Sequence, residues 1–542
     1  MAVCPFAAAD FKACHVRRWL SCLPTNRHTF RPILNNNVRW AFYHRVDREK
    51  AVQKYQAWID GQWVDPASGE WFETENPYTA EPWALIPRCN AEDADRAVQA
   101  AYSAYDKGPW ADMTASQRGA LLRKLGDLLS ENAEWLADIE VRDNGKLKAE
   151  MYGQTQYMPQ WFYYFGGLAD KIEGAVIPVD KPGMFNFTHH EPLGVVTIIT
   201  PWNSPLLLTT WKLAPALAAG NTVVIKPSEF TSASILAFMN LVERAGFPKG
   251  VVNVVTGFGH EVGSALVEHP KVARVAFTGG EPGGIKVYEA AARGLKPVSL
   301  ELGGKSPNII FEDADIDNAV KGAVSGIFAA TGQTCLAGSR LLVHESVHDE
   351  VVEKLLALAK TAKMGDPMQP GTQVGPVTTR PQFEKIMSYI EIAKADGAHC
   401  ALGGKPASNQ STAGWFVEPT IFTGVTNDMR IAQEEVFGPV LSIIKFKTDD
   451  QAVALANDTL YGLAAGVWTQ NIGRALNMSK RIRAGTVWVN AYRVVSYMSP
   501  FGGFKRSGIG RENGQAMIYE YLQTKSVWIN TNKDIPNPFV MG

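Results

Sequence analysis

Residues 299–340 have the sequence SLELGGKSPNIIFEDADIDNAVKGAVSGIFAATGQTCLAGSR, which sets one acid, Glu301, and one thiol, Cys335, among glycines. The alternating run 298–302 predicts a strand, and the glycines after Glu301 allow backbone to approach a ligand closely. The apolar run 324–330 predicts a helix that gives way to a glycine-containing turn before Cys335. A thiol on such a turn is partly exposed, as a nucleophile must be and a core cysteine need not be.

A lone cysteine or glutamate is more often a core thiol or a surface carboxylate than a catalytic group. Here, however, SLELGGKSPNII and GQTCLAGSR, with 34 positions from Glu301 to Cys335, resemble the two active-site signatures of the aldehyde dehydrogenase superfamily. Two long motifs in the right order are more specific than a single glycine pattern. The resemblance covers about residues 55–530 and implies an NAD(P)-dependent, hydrolytic, non-acylating enzyme.

The resemblance also implies an α/β fold, with a Rossmann-like parallel-sheet NAD-binding domain, an α/β catalytic domain and a small β oligomerisation domain. The residues agree, because Val- and Ile-rich runs alternate with helical segments, as in a parallel sheet covered on both faces. Such sheets bind dinucleotides at the carboxyl ends of their strands. The expected domains are 55–172 with 193–303 for NAD binding, 304–514 for catalysis, and 173–192 with 515–535 for oligomerisation.

Composition limits the function. A chain of 542 residues exceeds what one core supports, and 46% hydrophobic with 20% charged residues is typical of a globular enzyme. A net charge of -1 gives no reason to expect nucleic acid or an anionic membrane as partner, and no apolar run is long enough to span a bilayer. Six cysteines without CxxC spacing indicate a reducing compartment and no zinc site. We therefore expect a cytoplasmic enzyme with no metal.

The first residues differ from the rest of the chain. Residues 1–50 hold nine Lys and Arg against three Asp and Glu. An Arg-bearing, acid-poor leader suits an organellar transit peptide, which would place the enzyme in an organellar matrix. The interspersed Pro and Asn and the lack of an amphipathic period favour a disordered tail or an upstream extension from a misplaced start. We treat 1–54 as such a leader or tail and leave it out of the fold argument.

The expected cofactor is NAD, with NADP as a possibility. The turn Gly279–Gly284 fits the family's phosphate turn, although Gly280 stands where many relatives have Ser, so one hydroxyl contact is lost. Glu229 favours NAD, since a carboxylate accepts hydrogen bonds from free ribose hydroxyls and repels a 2′-phosphate. Some relatives with this acid still take NADP. The resemblance places the cofactor beside Thr200, Pro201, Trp202, Lys226, Ser228, Glu229, Gly259, Gly263, Gly279, Gly280, Gly284, Leu302, Glu435 and Phe437.

Four residues are implied in catalysis: Cys335, Glu301, Asn203 and Lys212. Cys335 would attack an aldehyde, and Asn203 with the backbone N–H of Cys335 would hold the oxyanion. Hydride transfer would leave a thioester, which water activated by Glu301 would hydrolyse to a carboxylic acid. A thiolate needs an electropositive setting, which a cationic nicotinamide and backbone N–H groups could supply.

Two alternatives stay open. A CoA-acylating relative would pass the thioester to a thiol, but such enzymes usually lack an acid at the Glu301 position. A non-catalytic structural protein of the same fold is the second, since fold does not fix function. The presence of Cys335, Glu301 and Asn203 together counts against it.

The sequence motifs do not specify which aldehyde is the substrate. The resemblance places Trp211, Arg493, Val495 and Phe501 along the substrate tunnel, and the aromatic run 158–164 beside it. Arg493 could pair with a substrate carboxylate, or it could be a surface charge or an internal ion-pair partner. The ribbon 173–192 is an edge that tends to pair with another strand. The resemblance joins it to a last strand near 526–530 in an oligomerisation domain and so implies a homodimer or homotetramer.

Overall fold

A computed structural model of the chain describes residues 52–408, 412–535 and 537–540. Of the leader predicted over 1–54, residues 1–51 lie outside these ranges. Among the described helices, none combines the length and the apolar character needed to cross a membrane.

The described strands, in chain order, have the following bounds. They are β1 (Gln53–Lys54), β2 (Ala57–Ile59), β3 (Gln62–Val64), β4 (Trp71–Asn76), β5 (Glu81–Pro87), β6 (Val176–Ile177), β7 (Met184–Pro192), β8 (Val195–Thr200), β9 (Thr222–Pro227), β10 (Val252–Val254), β11 (Val272–Thr278), β12 (Val298–Glu301), β13 (Pro307–Ile310), β14 (Arg340–His344), β15 (His399–Leu402), β16 (Thr420–Thr423), β17 (Val440–Phe446), β18 (Ala464–Trp468), β19 (Thr486–Val489), β20 (Gly508–Ile509) and β21 (Leu522–Asn530).

The described α-helices alternate with these strands. They are α1 (Ala91–Asp106), α2 (Ala115–Glu131), α3 (Ala133–Asn144), α4 (Lys148–Tyr157), α5 (Pro159–Leu168), α6 (Pro205–Ala218), α7 (Ala233–Ala245), α8 (Ser264–Glu268), α9 (Glu281–Arg293), α10 (Ile316–Phe328), α11 (His348–Ala359), α12 (Arg380–Ala395), α13 (Arg430–Gln433), α14 (Asp449–Asn457) and α15 (Ile472–Arg481).

The first large sheet has the strand order β20-β12-β11-β8-β9-β10-β2-β3. Its five central strands, from β12 to β10, run parallel, whereas β2, β3 and β20 pair antiparallel. The middle strands β8 and β9 are buried at every position, which their Val- and Ile-rich sequences require in a sheet covered on both faces. The predicted α/β class with a Rossmann-like parallel sheet is confirmed.

The second large sheet has the order β15-β16-β17-β14-β13-β18-β19 and is parallel except for β15. It is built from residues of the expected catalytic part, 304–514. The short strand β20 comes from that same part but pairs with β12 of the first sheet, Glu301 opposite Gly508. Residues near 508 therefore reach from the second sheet's part of the chain to the strand that ends at Glu301.

A third sheet joins the two predicted oligomerisation segments. β7 pairs antiparallel with β6 on one side and with β21 on the other, from Leu522 opposite Pro192 to Asn530 opposite Met184. The last strand, expected near 526–530, begins earlier, at Leu522. A further small sheet has the order β1-β5-β4.

Two acids of α3 hold the starts of the helices that follow β8 and β9. Glu140 Oε1 accepts the backbone N–H of Leu206 at 2.9 Å, and Asp143 Oδ2 accepts that of Ala233 at 2.9 Å. Both carboxyls are fully buried, and burial raises the pKa of each to about 7. Because α6 follows the turn that contains Asn203, this contact fixes one wall of the site described next.

Candidate active site

A cavity of about 600 Å³ opens at the carboxyl ends of β8, β11 and β12. Most of the predicted catalytic group and half of the predicted cofactor group meet there. The predicted residues that line it are Pro201, Trp202, Asn203, Gly279, Gly280, Glu301, Leu302, Cys335, Glu435 and Phe437. Sequence reasoning missed five others: Leu208, Thr278, Gly303, Gln382 and Lys385.

Cys335 follows a strained turn at the end of α10. Ala330 and Thr331 have φ of 53° and 54°, in the left-handed region that non-glycine residues seldom adopt. Contacts from elsewhere in the fold hold this turn. Glu150 Oε1 accepts the backbone N–H of Ala330 at 2.8 Å, and Thr331 Oγ1 donates to the Gly375 carbonyl at 3.1 Å.

Gln333 connects this turn to Asn203, the predicted oxyanion donor. Its Oε1 accepts the Thr378 N–H at 2.9 Å, and its carbonyl oxygen accepts Nδ2 of Asn203 at 2.9 Å. A side-chain amide carries two N–H donors, so Asn203 has one to hold the loop and a second for a ligand oxyanion. Asn203 follows β8 and precedes α6, as the sequence predicts.

Cys335 is half-buried as a residue and lines the cavity. Burial of the sulfur raises its pKa to about 12, with a further rise from the Glu301 and Glu435 carboxylates. Backbone N–H groups of Leu336 and of Cys335 itself oppose this rise. The protein's own groups therefore keep the thiol protonated at neutral pH, and thiolate formation requires an additional positive charge.

Glu301 ends β12 and is 5% exposed, so it is not a surface carboxylate. Neither of its oxygens has a hydrogen-bond partner among the described residues. Burial, and next the nearby Glu512 carboxylate, raise its pKa well above the ordinary value. A buried, unpartnered carboxyl with a raised pKa suits a group that takes up a proton during the reaction.

Behind Glu301 lies a buried ion pair that sequence reasoning identified only in part. Lys212 Nζ lies 2.9 Å from Glu512 Oε1, and both side chains are 0% exposed. Lys212 also donates to Thr278 Oγ1 at 2.7 Å. The predicted Lys212 therefore acts in the interior, behind the cavity wall. Glu512, which was missed, lies in the signature PFGGFKRSGIGREN that the sequence already displayed.

The glycines after Glu301 are required by close approach. A Cβ at Gly303 would lie 2.3 Å from Oε2 of Glu435, and one at Gly304 would lie 2.7 Å from the Cys335 carbonyl oxygen. Both distances are shorter than any side chain tolerates, and the obstacle at Gly304 is backbone. The acid and thiol motifs are thus in direct contact, and this contact leaves no room for a side chain at Gly304.

The cofactor side of the cavity fits a dinucleotide. Gly280 is the N-cap residue of α9 and has no side chain to cap it, and its Cβ direction meets only Pro282, at 3.9 Å. Because Pro282 has no N–H and the Gly284 N–H is bonded to the Gly280 carbonyl, the N–H groups of Glu281 and Gly283 are the donors that this helix start offers a diphosphate. Glu435 Oε1 accepts the Gly304 N–H at 2.9 Å. Among the described residues no group of three or more His, Cys, Asp or Glu could hold a metal ion.

Residues expected around the adenosine lie outside this cavity. Lys226 Nζ and Ser228 Oγ each lie 3.5 Å from Glu229 Oε2, so the three form one polar group after β9. Glu229 lines a separate cavity of about 550 Å³ with Glu73, among others. The other predicted residues that do not line the catalytic cavity are Thr200, Lys212, Gly259, Gly263, Gly284, Trp211, Arg493, Val495 and Phe501.

The predicted substrate residues Trp211 and Phe501 belong to one aromatic cluster. Trp211 stacks on Trp161 at 5.9 Å between ring centroids and meets Phe501 edge-on at 5.4 Å. Tyr497, which was missed, meets Trp161 at 5.7 Å. Val495, Leu336 and Cys335 pack against the same core. The aromatic run 158–164 therefore contributes to the core that Cys335 also packs against.

Arg493 lies in a left-handed turn with φ of 65°. Its Nη1 donates to the Ser325 carbonyl, 3.2 Å away, in the last turn of α10, where a cation also complements the helix dipole. Burial lowers its pKa, whereas Glu150, Tyr492 and Cys335 raise it. The contact with Ser325 is consistent with a residue that stabilises its own loop. The electrostatic interaction with Cys335 is consistent with a residue that binds the substrate carboxylate. Both interpretations stay predictions.

Three comparisons with known proteins agree with this geometry. The aldehyde dehydrogenase family model matches residues 63–527. A (Z)-2-((N-methylformamido)methylene)-5-hydroxybutyrolactone dehydrogenase of Acinetobacter baylyi is 47% identical over 493 residues, which cover 90% of this chain and 100% of that relative. The crystal structure of betaine aldehyde dehydrogenase from Staphylococcus aureus with NAD+ is 42% identical with a TM-score of 0.88, covering 90% and 96% of the two chains. An NAD+ complex of a Bacillus cereus aldehyde dehydrogenase is 44% identical with a TM-score of 0.86, covering 88% and 97%.

Proposed function

The chain belongs to the aldehyde dehydrogenase family, and from that premise we propose that it oxidises an aldehyde to a carboxylic acid with NAD as hydride acceptor. One observation carries the proposal. Cys335, Glu301, Asn203 and the uncapped start of α9 meet at a single cavity of about 600 Å³. One cavity therefore brings together a nucleophile, a base and an oxyanion donor for the aldehyde, and the turn that would bind the dinucleotide.

The first half of the reaction uses the loop of Cys335. Its thiol releases its proton to solvent, and the sulfur forms a bond to the aldehyde carbon while the carbonyl π electrons move to the oxygen, giving a thiohemiacetal oxyanion. The second N–H of Asn203 and the backbone N–H of Cys335 stabilise that oxygen. When bound, NAD supplies the positive charge that favours the thiolate and accepts the hydride, which leaves a thioester on Cys335.

The second half uses Glu301. The ionised carboxylate takes a proton from water, whose oxygen attacks the thioester carbon. The carbon–sulfur bond breaks, the acid leaves, and Cys335 regains its thiolate. Because Glu301 has no hydrogen-bond partner among the described residues, both of its oxygens are free to accept. Lys212 and Glu512 lie behind it and set its charge environment.

Glu229 supports the preference for NAD over NADP. Its carboxylate, beside Lys226 and Ser228, suits a ribose with free hydroxyls and repels a 2′-phosphate. The two solved neighbours from Staphylococcus aureus and Bacillus cereus were crystallised with NAD+, which agrees with this choice.

A direct assay tests the proposal. The purified protein is given NAD and a simple aldehyde, and NADH formation is followed by absorbance, with and without CoA. We expect NADH and free acid without CoA and no acceleration by CoA. A strict requirement for CoA would support the acylating alternative, and the absence of NADH across a panel of aliphatic, aromatic and carboxylated aldehydes would contradict the proposal.

We also infer a homo-oligomer, as a dimer or tetramer. The outer sheet β21-β7-β6 exposes large apolar side chains, including Phe185 at 42% and Trp528 at 53%. Exposed apolar strands of this kind favour a second copy as partner. Light scattering should give at least twice the monomer mass, and a variant carrying Phe185→Ser and Trp528→Ser should shift toward monomer.

A further inference from the structure

The cofactor turn contains an unusual acid. Glu281 is the first residue of α9, directly after Gly280, where the diphosphate of the dinucleotide is expected. A carboxylate at a helix N-terminus stabilises the helix dipole. The same charge repels an approaching diphosphate, and nearby Gly280 brings no hydroxyl to offset that repulsion. Cofactor binding therefore depends on how the charge of Glu281 is neutralised.

Two side chains contact the Glu281 carboxylate, and only one of them, Arg506, is a cation. Arg506 Nη2 forms an ion pair with Glu281 Oε1, and the Tyr461 hydroxyl donates to Glu281 Oε2 at 3.2 Å. The Glu281 side chain is 17% exposed and that of Arg506 is 50% exposed. The pair thus lies at the rim of the fold, where it can influence a ligand that enters from solvent.

The loop of Arg506 is attached to the cavity wall. The neighbouring Ser507 accepts the Leu302 N–H with its carbonyl at 2.9 Å and the Gly462 N–H with its hydroxyl at 2.9 Å. Leu302 lines the cavity that also holds Glu301 and Cys335. These contacts hold the backbone at Arg506 near the turn, so that its side chain reaches Glu281.

Glu281 also acts electrostatically on Glu435, an acid that lines the cofactor cavity. Burial raises the pKa of Glu435, and the Glu281 carboxylate adds to that rise. Burial likewise raises the pKa of Tyr461, followed by the effects of Glu435 and Glu281. Glu281 therefore adds negative charge near the cofactor turn, and Arg506 forms the ion pair with it among the described residues.

We propose that Arg506 determines dinucleotide affinity, by neutralising Glu281 so that the diphosphate can reach the N–H groups at the start of α9. This inference rests on the proposed function, because it assumes that the turn holds NAD. It adds two residues, Arg506 and Glu281, that the motifs of the chain did not assign to the cofactor.

NADH binding, followed by the change in NADH fluorescence without any aldehyde, tests the pair. Arg506→Gln should weaken NADH binding by about tenfold, more at low salt than at high salt, because the unpaired carboxylate then repels the diphosphate. Glu281→Gln should bind NADH as tightly as the wild type or more tightly. The double variant should return to within about twofold of the wild type, since the repelling charge is gone.

A matched control lies at the far end of the same helix. Arg293 pairs with Glu268 at 3.3 Å, and both side chains are more than half exposed. Arg293→Gln removes the same charge from α9 without touching the turn, and it should leave NADH affinity unchanged. An equal loss in that variant would show a general charge effect and overturn the assignment.

Further results would support or overturn the role of Arg506 and Glu281 in NADH binding. Wild-type affinity in Arg506→Gln, or a double variant as weak as the single one, would overturn the role of the pair. If Arg506→Gln does not fold, weaker binding by Glu281→Gln alone would overturn it too, and wild-type or tighter binding would support it. Failure of the wild-type protein to bind NADH would instead count against the proposed function.

Discussion

The cavity has two sides that are built differently. Cys335 lies on a loop whose preceding turn is strained at Ala330 and Thr331 and is held by side chains from distant segments. Glu301 lies at the end of a regular strand, β12, whose partners β11 and β20 fix its position by backbone pairing. Cys335 is half-buried as a residue, whereas Glu301 is 5% exposed with a buried ion pair behind it.

Because of this difference, we expect variants near Cys335 to change the position of the sulfur, and variants near Glu301 to change the charge around the carboxylate. The loop side depends on a few hydrogen bonds that set where the sulfur points, so single changes there should alter reactivity without changing the fold. The strand side is fixed by the sheet, so changes there should act through charge and proton transfer. The variants below test that division in order of the expected effect.

Cys335→Ala should lower the oxidation rate by about four orders of magnitude or more, because the thiol forms the covalent bond. NADH affinity should stay nearly unchanged, since the groups expected to bind the dinucleotide are other residues, at the start of α9 and at Glu435. Steady-state NADH formation and fluorescence titration measure the two effects. Turnover near the wild-type rate in this variant would contradict covalent catalysis.

Glu301→Gln should acylate once and then stall, because the amide cannot accept the proton of the attacking water. We expect a burst of about one NADH per active site, followed by a steady-state rate lowered about a hundredfold or more. Rapid mixing with absorbance detection resolves the two phases. An unchanged steady-state rate would remove Glu301 from hydrolysis.

Glu150→Gln tests the loop side alone. The loss of a charged acceptor for the Ala330 N–H should loosen the strained turn and lower kcat by about tenfold, with unchanged NADH affinity. Glu134→Gln is the matched control, because it breaks only an exposed pair with Lys148 at 3.0 Å. Equal effects of the two changes would show that the contact to Ala330 has no special role.

Arg493→Ala distinguishes the two roles of that residue. If Arg493 binds a substrate carboxylate, KM for 4-oxobutanoate should rise about tenfold while KM for butanal barely changes, as expected for the loss of one charge-assisted hydrogen bond. If it only supports the loop through Ser325, both substrates should suffer equally. Steady-state kinetics with the two aldehydes gives the answer.

Glu512→Gln tests the strand side through pH. Only the ionised form of Glu301 accepts a proton, so the steady-state rate should rise with pH through its raised pKa. Glu512 contributes to that rise in pKa, and Lys212 opposes it. Removing the Glu512 charge should therefore move the rising limb to lower pH. A limb that stays in place would show that burial alone sets the pKa of Glu301.

Much of the fold was predictable because its signals are local. Capping by Asn90 at the start of α1, the alternation that ends at Glu301 and the run before Cys335 all involve neighbouring residues. The pair formed by Lys212 and Glu512 was only half visible, because ion pairing across separate elements leaves no periodic trace in one sequence. The same reason hid the contact of Glu150 with Ala330.

The sequence by itself determined the chemistry that is present: a thiol on a turn, an acid at a strand end, and a glycine turn before α9, each specified by consecutive residues. Only the tertiary structure decided the state of those groups. It buried Glu301 against Glu512, fixed the strained turn before Cys335, and placed Arg506 on Glu281. Burial and charge pairing depend on distances between segments far apart in the chain, and those distances exist only once the sheets have formed.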